Sequence, residues 1–205
     1  MSVISKVSLA DLFAGRSQLL VQHFMLAPGW KEGCKSCSYM ADHADGMTAH
    51  LAQRDVTFVA ISRAHYSEIE RFRRRMGWRF NWVSSNANSF NHDFRVSFTP
   101  EEIAKGRIDY NFGGSPHRGE ELPGVSVFMK DEACAVFHTY STYGRGVEVM
   151  SDASGVPRIV DHVHSASCTL VPKRLFCDGR SMRLGPASRN YDRVREVRVI
   201  DDEVC

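Results

Sequence analysis

Long apolar runs are missing from this chain of 205 residues. The longest, Gln18 to Leu26, is interrupted by Gln22 and His23, far short of the roughly 18 apolar residues that a membrane-spanning helix needs. An excess of charge of one sign is also lacking. The 26 basic and 24 acidic side chains leave a net charge of +2, which argues against a dedicated nucleic-acid binder with one strongly basic face. The first residues, Met1-Ser-Val-Ile-Ser-Lys-Val, contain no long apolar segment and no cleavage signature, so a secretory signal is not expected and a cytoplasmic location is. Internal repeats and low-complexity tracts are absent. Cysteine is sparse and irregularly spaced: six residues, at 34, 37, 134, 168, 177 and 205, which is not the framework of a small disulfide scaffold.

What remains is ordinary for a folded protein. Hydrophobic residues make up 43% and charged residues 24%, too apolar for a disordered chain. The length suits one domain with a remainder, and a core of that size does not depend on disulfides.

The first strong strand is Ser17 to Met25, apolar enough to be buried on both faces of a parallel sheet. A loop with Pro28, Gly29 and Gly33 follows. Met40, Ala44, Met47 and Leu51 then recur at helical spacing to about Gln53, interrupted only by the helix-weakening Gly46. Asp55 to Ser62 is a second buried strand, rich in β-branched residues. Ser67 and Glu70 resemble a capping box, Ile69, Phe72 and Met76 continue at helical spacing, and Gly77 stands where a helix ends. Phe80 to Ser85 forms a short third strand. This β-α-β-α-β order implies parallel strands joined by right-handed crossovers. The segment from Asn86 to Leu122 is polar and irregular, apart from a helix start at Thr99-Pro100-Glu101-Glu102 that Gly106 soon stops. Gly124 to Lys130 and Ala133 to Thr142 read as a hairpin. From about Ser151 the signals fade, leaving a weak edge strand over Arg193 to Ile200.

One motif carries chemistry, Gly33-Cys34-Lys35-Ser36-Cys37. A single C-x-x-C supplies half of a tetrahedral zinc site. No second C-x-x-C or H-x-x-x-H completes it, and the nearby His43 and His50 fall on the following helix. In a redox site the first cysteine sits at a helix N-terminus, where free backbone N–H groups and the helix dipole stabilise its thiolate. Its pKa falls from about 8.5 toward 7 or below. Cys34 would then be the exposed nucleophile and Cys37 the resolving thiol. A strand, a loop, the pair and an amphipathic helix in that order support this arrangement. Two buried structural thiols are the alternative.

The order of the strand Leu19-Leu-Val-Gln-His-Phe24, the Cys34/Cys37 pair, the strand Val56 to Ile61 and the hairpin led by Pro123 resembles the thioredoxin-like superfamily. More narrowly, several segments resemble a bacterial family of thioredoxin-like proteins of unknown function, DUF899. They are Glu32-Gly-Cys-Lys-Ser-Cys-Ser38, Arg54-Asp-Val-Thr-Phe-Val-Ala-Ile-Ser-Arg63, Arg74-Arg-Met-Gly-Trp78, Trp82-Val-Ser-Ser85, Val96-Ser-Phe-Thr-Pro100, Glu121-Leu-Pro-Gly-Val-Ser-Val-Phe128 and Val136-Phe-His-Thr-Tyr-Ser-Thr-Tyr143. The resemblance runs from about Ser8 to Met150. It implies an α/β, thioredoxin-like three-layer fold with a central mixed sheet flanked by helices. The domain would span 1–150, with a divergent or weakly structured tail over 151–205.

Carried over by position, Cys34 attacks, Cys37 resolves, and Pro123 is a cis-proline facing the pair. His23 stands where thioredoxins often keep a buried acid, either as a proton shuttle to Cys37 or as a structural residue. Trp30 is the aromatic ahead of the pair, for recognition or for packing. Two departures stand out. The loop Leu26 to Gly33 is longer than in a minimal thioredoxin. Lys31 also occupies the place, three residues before the first cysteine, where peroxiredoxins keep a threonine.

The expected activity is thiol–disulfide exchange with a protein or small-molecule thiol or disulfide. The alternatives are a peroxiredoxin-like peroxidase and a binding module whose cysteines hold a metal or only pack. No cofactor, metal, nucleic acid or membrane is expected. A homodimer is common for the superfamily, but no interface is visible in the sequence. The cluster Arg71, Arg73, Arg74 and Arg75 reads as a solvated helix face beside Glu68 and Glu70. Trp78, Phe80 and Trp82 read as packing, as do His138, Tyr140 and Tyr143.

Overall fold

In the computed structural model, which describes residues 6–117 and 119–151 and the backbone of 198–199, the two buried strands lie side by side. They are β2 (Gln18–His23) and β3 (Val56–Ser62), parallel and in register from Gln18 opposite Val56 to His23 opposite Ile61. A short strand, β1 (Val7–Ser8), precedes them. Helix α1 (Lys35–Gln53) crosses from β2 to β3, and α2 (Tyr66–Met76) from β3 to β4 (Asn81–Ser84), also parallel. Beyond α3 (Phe90–Asp93), α4 (Pro100–Ala104) and the small hairpin β5 (Ile108–Tyr110) and β6 (Gly113–Ser115), the chain returns as β7 (Gly124–Lys130) and β8 (Val136–Tyr143). The sheet order is β4-β3-β2-β7-β8, with β7 antiparallel to both neighbours. This is the expected mixed sheet flanked by helices. A 3-10 turn, Gly144–Ser151, closes the described core, and β9 (Arg198–Val199) pairs antiparallel with β1. The rest of the expected edge strand and of the tail lies outside the described residues.

Two crossovers of the same hand along a sheet that grows in one direction place α1 and α2 on the same face. Met40, Ala44, Met47 and Leu51 of α1 and Ile69 and Phe72 of α2 fill the core there, with Phe24, Trp78, Phe80 and Trp82. The three alternating aromatics are therefore packing residues. The other face is covered by shorter pieces: Leu12 and Phe13 of a 3-10 turn, and Phe90 and Phe94 around α3.

The capping of α2 differs from the sequence expectation. Its N-cap is His65, whose N–H donates to the Glu68 carboxylate at 3.1 Å. Glu70 instead accepts from Arg73 and Arg74 at 2.9 and 2.7 Å, which also accounts for much of the arginine cluster. Gly77 ends the helix at φ 75°, as its position implied. Thr99 caps α4 in a box with Glu102.

Gly33 is required by packing. A Cβ added there would lie 2.5 Å from Phe24 Cε1. The Phe24 ring packs in turn against Phe72, Trp78 and Trp82, so a shift of it disturbs the core. We expect Gly33→Ala to lower stability by about 1–3 kcal/mol through overpacking. In a Phe24→Leu background, urea denaturation should show a smaller loss, because the two positions are coupled. Equal losses in both backgrounds would refute the clash.

Candidate active site

The loop that follows β2 is pinned before it reaches the cysteines. Ala64 N–H donates to Leu26 carbonyl at 2.9 Å, and Cys34 N–H donates to Met25 carbonyl at 3.1 Å. Gly29 N–H donates to Glu68 at 3.0 Å, and Trp30 Nε1 donates to Glu120 at 2.9 Å. Cys34 therefore arrives as the N-cap of α1, half-buried, and Cys37 lies one turn inside, buried. Gln22, from the sheet beneath, donates through Nε2 to the Cys37 carbonyl at 3.0 Å and holds this first turn down. Its own Oε1 has no partner among the described residues.

The two thiols have opposite acidities. The Cys37 thiol donates a hydrogen bond to the Cys34 sulfur and is the main reason that the Cys34 pKa falls to about 5. Burial works against this drop, while the backbone N–H groups of Cys37 and Ser36 and the Ser36 hydroxyl add to it. The sulfur closes no regular capping bond, so these N–H groups act as weak donors at the positive end of the helix. Cys37 is pushed well above the ordinary thiol range, first by its hydrogen bond to Cys34 and then by burial. At neutral pH the pair is one thiolate and one thiol.

Pro123 is brought beside the pair: it lines, with Cys34, Cys37 and Leu122, a cleft of about 800 Å³. Its peptide bond is trans, as are all those among the described residues, which corrects the cis expectation. The preceding Leu122 N–H is held by Val96 carbonyl at 2.8 Å and the Pro123 carbonyl by the Tyr110 hydroxyl at 2.7 Å. This anchoring satisfies the trans form, which the X–Pro bond already prefers by about 0.5–1 kcal/mol.

His23 is not at the site. Strand side chains alternate, and β2 sends Leu20 and Phe24 to the α1 face but Leu19 and Val21 to the other. His23 goes with the latter. Its ring packs 5.6 Å from Phe90 and 5.2 Å from Phe94, and its Nε2 meets Ser126 Oγ at 2.8 Å. Burial holds its pKa down to about 3, so it is a neutral core residue, not a shuttle to Cys37. Trp30 packs against the core, tied to Glu120, and does not line the cleft. His43 turns back to the Tyr39 carbonyl at 2.8 Å. Among the described residues, no group of three or more His, Cys, Asp or Glu stands close enough to hold a metal ion. No helix among them is long and apolar enough to cross a membrane.

Sequence reasoning missed Tyr110. Its hydroxyl donates to Pro123 carbonyl and accepts from Gly144 N–H, both at 2.7 Å, joining three walls of the cleft. The signal was Asn111-Phe112-Gly113-Gly114. Asn111 and Phe112 both have positive φ, 55° and 62°, and form the hairpin turn that presents Tyr110. Gln22 was passed over for its neighbour.

The family described as bacterial protein of unknown function (DUF899) matches residues 4–162. The chain belongs to this family. No curated protein matches it by sequence. Among solved structures it is similar to the peroxidoxin BcpB of Mycobacterium tuberculosis. The identity is 10% and the TM-score 0.50, over 80% of this chain and 95% of that one. It is also similar to thioredoxin peroxidase I of Plasmodium yoelii, at 13% identity and a TM-score of 0.49, over 87% and 86% of the two chains. The fold of this DUF899 member is thioredoxin-like, and at such identities the likeness speaks for the fold alone.

Proposed function

We propose that the protein exchanges disulfides through Cys34 and Cys37. The observation that carries this reading is the placement of half-buried Cys34 as the N-cap of α1 with buried Cys37 one turn inside, an arrangement that lowers the Cys34 pKa and raises that of Cys37. It keeps the outer sulfur charged and the inner one protonated until a mixed disulfide forms. The Cys34 thiolate attacks one sulfur of a substrate disulfide and expels the other as a thiolate. With the Cys34 charge gone, Cys37 loses the interaction that kept it protonated, deprotonates and attacks Cys34. The second substrate thiolate leaves, and a Cys34–Cys37 disulfide remains. Two electrons pass to the substrate, and an external thiol restores the pair.

The same thiolate would attack a peroxide oxygen, and the thioredoxin fold serves the peroxidoxin of similar structure. Exchange is favoured because Lys31 stands where peroxide activation calls for a hydroxyl. Lys31 lines a separate small cavity with Arg71 and Phe72, away from the cleft that holds Cys34.

The test is the pH dependence of Cys34 alkylation. The rate should rise with a midpoint about pH 5 and stay flat above it. In Cys37→Ala, which removes the donor, the midpoint should move up toward the free value of about 8.5. A midpoint near the free value in the parent protein, with no intramolecular disulfide on oxidation, would end this reading.

A further inference from the structure

The cleft beside Cys34 has a shape and chemistry of its own. At about 800 Å³ it falls within the usual range of small-molecule sites, about 300–1,000 Å³. It is walled on one side by the first turns of α1, on another by the β5–β6 hairpin through Tyr110 and Ser115, and on a third by the turn Gly144–Ser151. Its apolar surface comes from Met25, Met40, Leu122, Pro123 and Val147, with the Tyr39 ring, 55% exposed, at the edge.

Much of the polar capacity of this lining is already committed. The Tyr110 hydroxyl is shared between Pro123 carbonyl and Gly144 N–H, so Tyr110 contributes its ring. Arg145 is paired with Glu148 at 3.2 Å. Lys35 is different. It follows Cys34 directly, lines the cleft, is exposed, and makes no ion pair among the described residues. An anion beside it would also meet the positive end of α1.

We infer that the substrates of the pair are small organic disulfides with an apolar, aromatic-sized arm that fills the cleft and an anionic group that meets Lys35. This rests on the exchange reading above and specifies its substrate. The Cys34 thiolate displaces one arylthiolate and forms the mixed disulfide, with the remaining arm in the cleft. Cys37 gives up its proton to solvent, attacks Cys34 and releases the second arylthiolate. One disulfide is reduced to two thiols, and the protein dithiol is oxidised to one disulfide.

The experiment uses the full chain, reduced, and three probes: 5,5′-dithiobis(2-nitrobenzoate), aromatic and anionic; 4,4′-dipyridyl disulfide, aromatic and neutral; and hydroxyethyl disulfide, small and polar. Each second-order rate is divided by that of dithiothreitol with the same probe, which removes intrinsic reactivity. The aromatic probes should exceed hydroxyethyl disulfide by about tenfold or more in this normalised rate. The anionic aromatic probe should exceed the neutral one by about three- to fivefold, as one partly exposed charge contact allows. Lys35→Gln should erase the anionic preference. Any change it makes to Cys34 reactivity cancels in the ratio of the two aromatic probes. Tyr39→Ser, at an exposed position, should lower the aromatic preference.

Normalised rates that are equal for all three probes would overturn the cleft proposal and leave dithiol exchange standing. An anionic preference that survives Lys35→Gln would overturn the assignment of Lys35. Failure of every probe to oxidise the pair would overturn the exchange reading, and the substrate proposal with it.

Discussion

Cys34→Ser should lower disulfide exchange by at least about a thousandfold, to the rate of background reaction, because the serine hydroxyl stays protonated at neutral pH and offers no comparable nucleophile. With its pKa at about 5, Cys34 is almost wholly thiolate at pH 7, whereas a free thiol near 8.5 is only about 3% ionised there. Part of that gain is offset, since a more acidic thiol is intrinsically less nucleophilic. Cys37→Ser should act at a later step. Cys34 would still attack, but no inner sulfur would complete the exchange, and the mixed disulfide would accumulate as a covalent adduct visible by intact-mass spectrometry. Wild type should show no such adduct at steady state and a mass two hydrogens lighter when oxidised. Activity retained by Cys34→Ser, or an adduct on Cys37 instead of Cys34, would reverse the assigned order.

The second large effect concerns stability. Glu121, immediately before Leu122 and Pro123, has a side chain only 1% exposed. Arg63 Nε donates to it at 2.7 Å and Ser97 Oγ at 2.6 Å, while Arg63 also reaches Glu120 at 3.0 Å. Burial raises the Glu121 pKa, and Ser97 and Arg63 pull against that rise. Removing the guanidinium by Arg63→Met would leave a carboxylate buried with one hydroxyl donor. A broken buried pair of this kind costs about 3–5 kcal/mol, a large share of the roughly 5–15 kcal/mol that holds a domain together.

The pH dependence has a definite sign. A carboxyl whose folded pKa lies above its unfolded value favours the fold most at low pH, and that contribution is lost as pH rises through the folded value. The variant raises the folded value further. Its deficit against wild type should therefore be greatest near neutrality and shrink as pH falls toward the ordinary glutamate pKa of about 4.3. Urea denaturation at pH 7 and pH 5 measures both points. Adding Glu121→Gln to Arg63→Met should recover much of the loss. A deficit below about 1 kcal/mol that does not vary with pH would contradict the burial of this pair.

The order of the main strands and helices was legible because each carried a period or a cap. Met40, Ala44, Met47 and Leu51 marked α1, and Gly77 closed α2. The cysteine pair was legible because its spacing at a helix start has few other uses. Of the two roles open to His23, the structural one fits its packing against Phe90 and Phe94, while the neighbouring Gln22 is the residue that reaches the pair. Both Gln22 and His23 interrupt an apolar strand, and only the pairing of β2 with its neighbours, together with the helices above, decides which faces Cys37. Pro123 lines the same cleft as the pair, but its peptide bond is trans, and its neighbours Val96 and Tyr110 are residues remote in sequence that no local pattern announces. The β5–β6 hairpin escaped because strands of three residues, one of them Gly113–Ser115, carry too little pattern to stand out.

The Tyr110 oxygen sits at a junction of three stretches of chain: the short hairpin, the segment entering β7 and the segment leaving β8. The last two are joined beside it by the Gly124–Tyr143 pair of the sheet, and the hairpin is tied to them through the phenol. A single phenol oxygen thus works as a keystone, fastening the hairpin side of the aperture beside Cys34 to the rim of the central sheet.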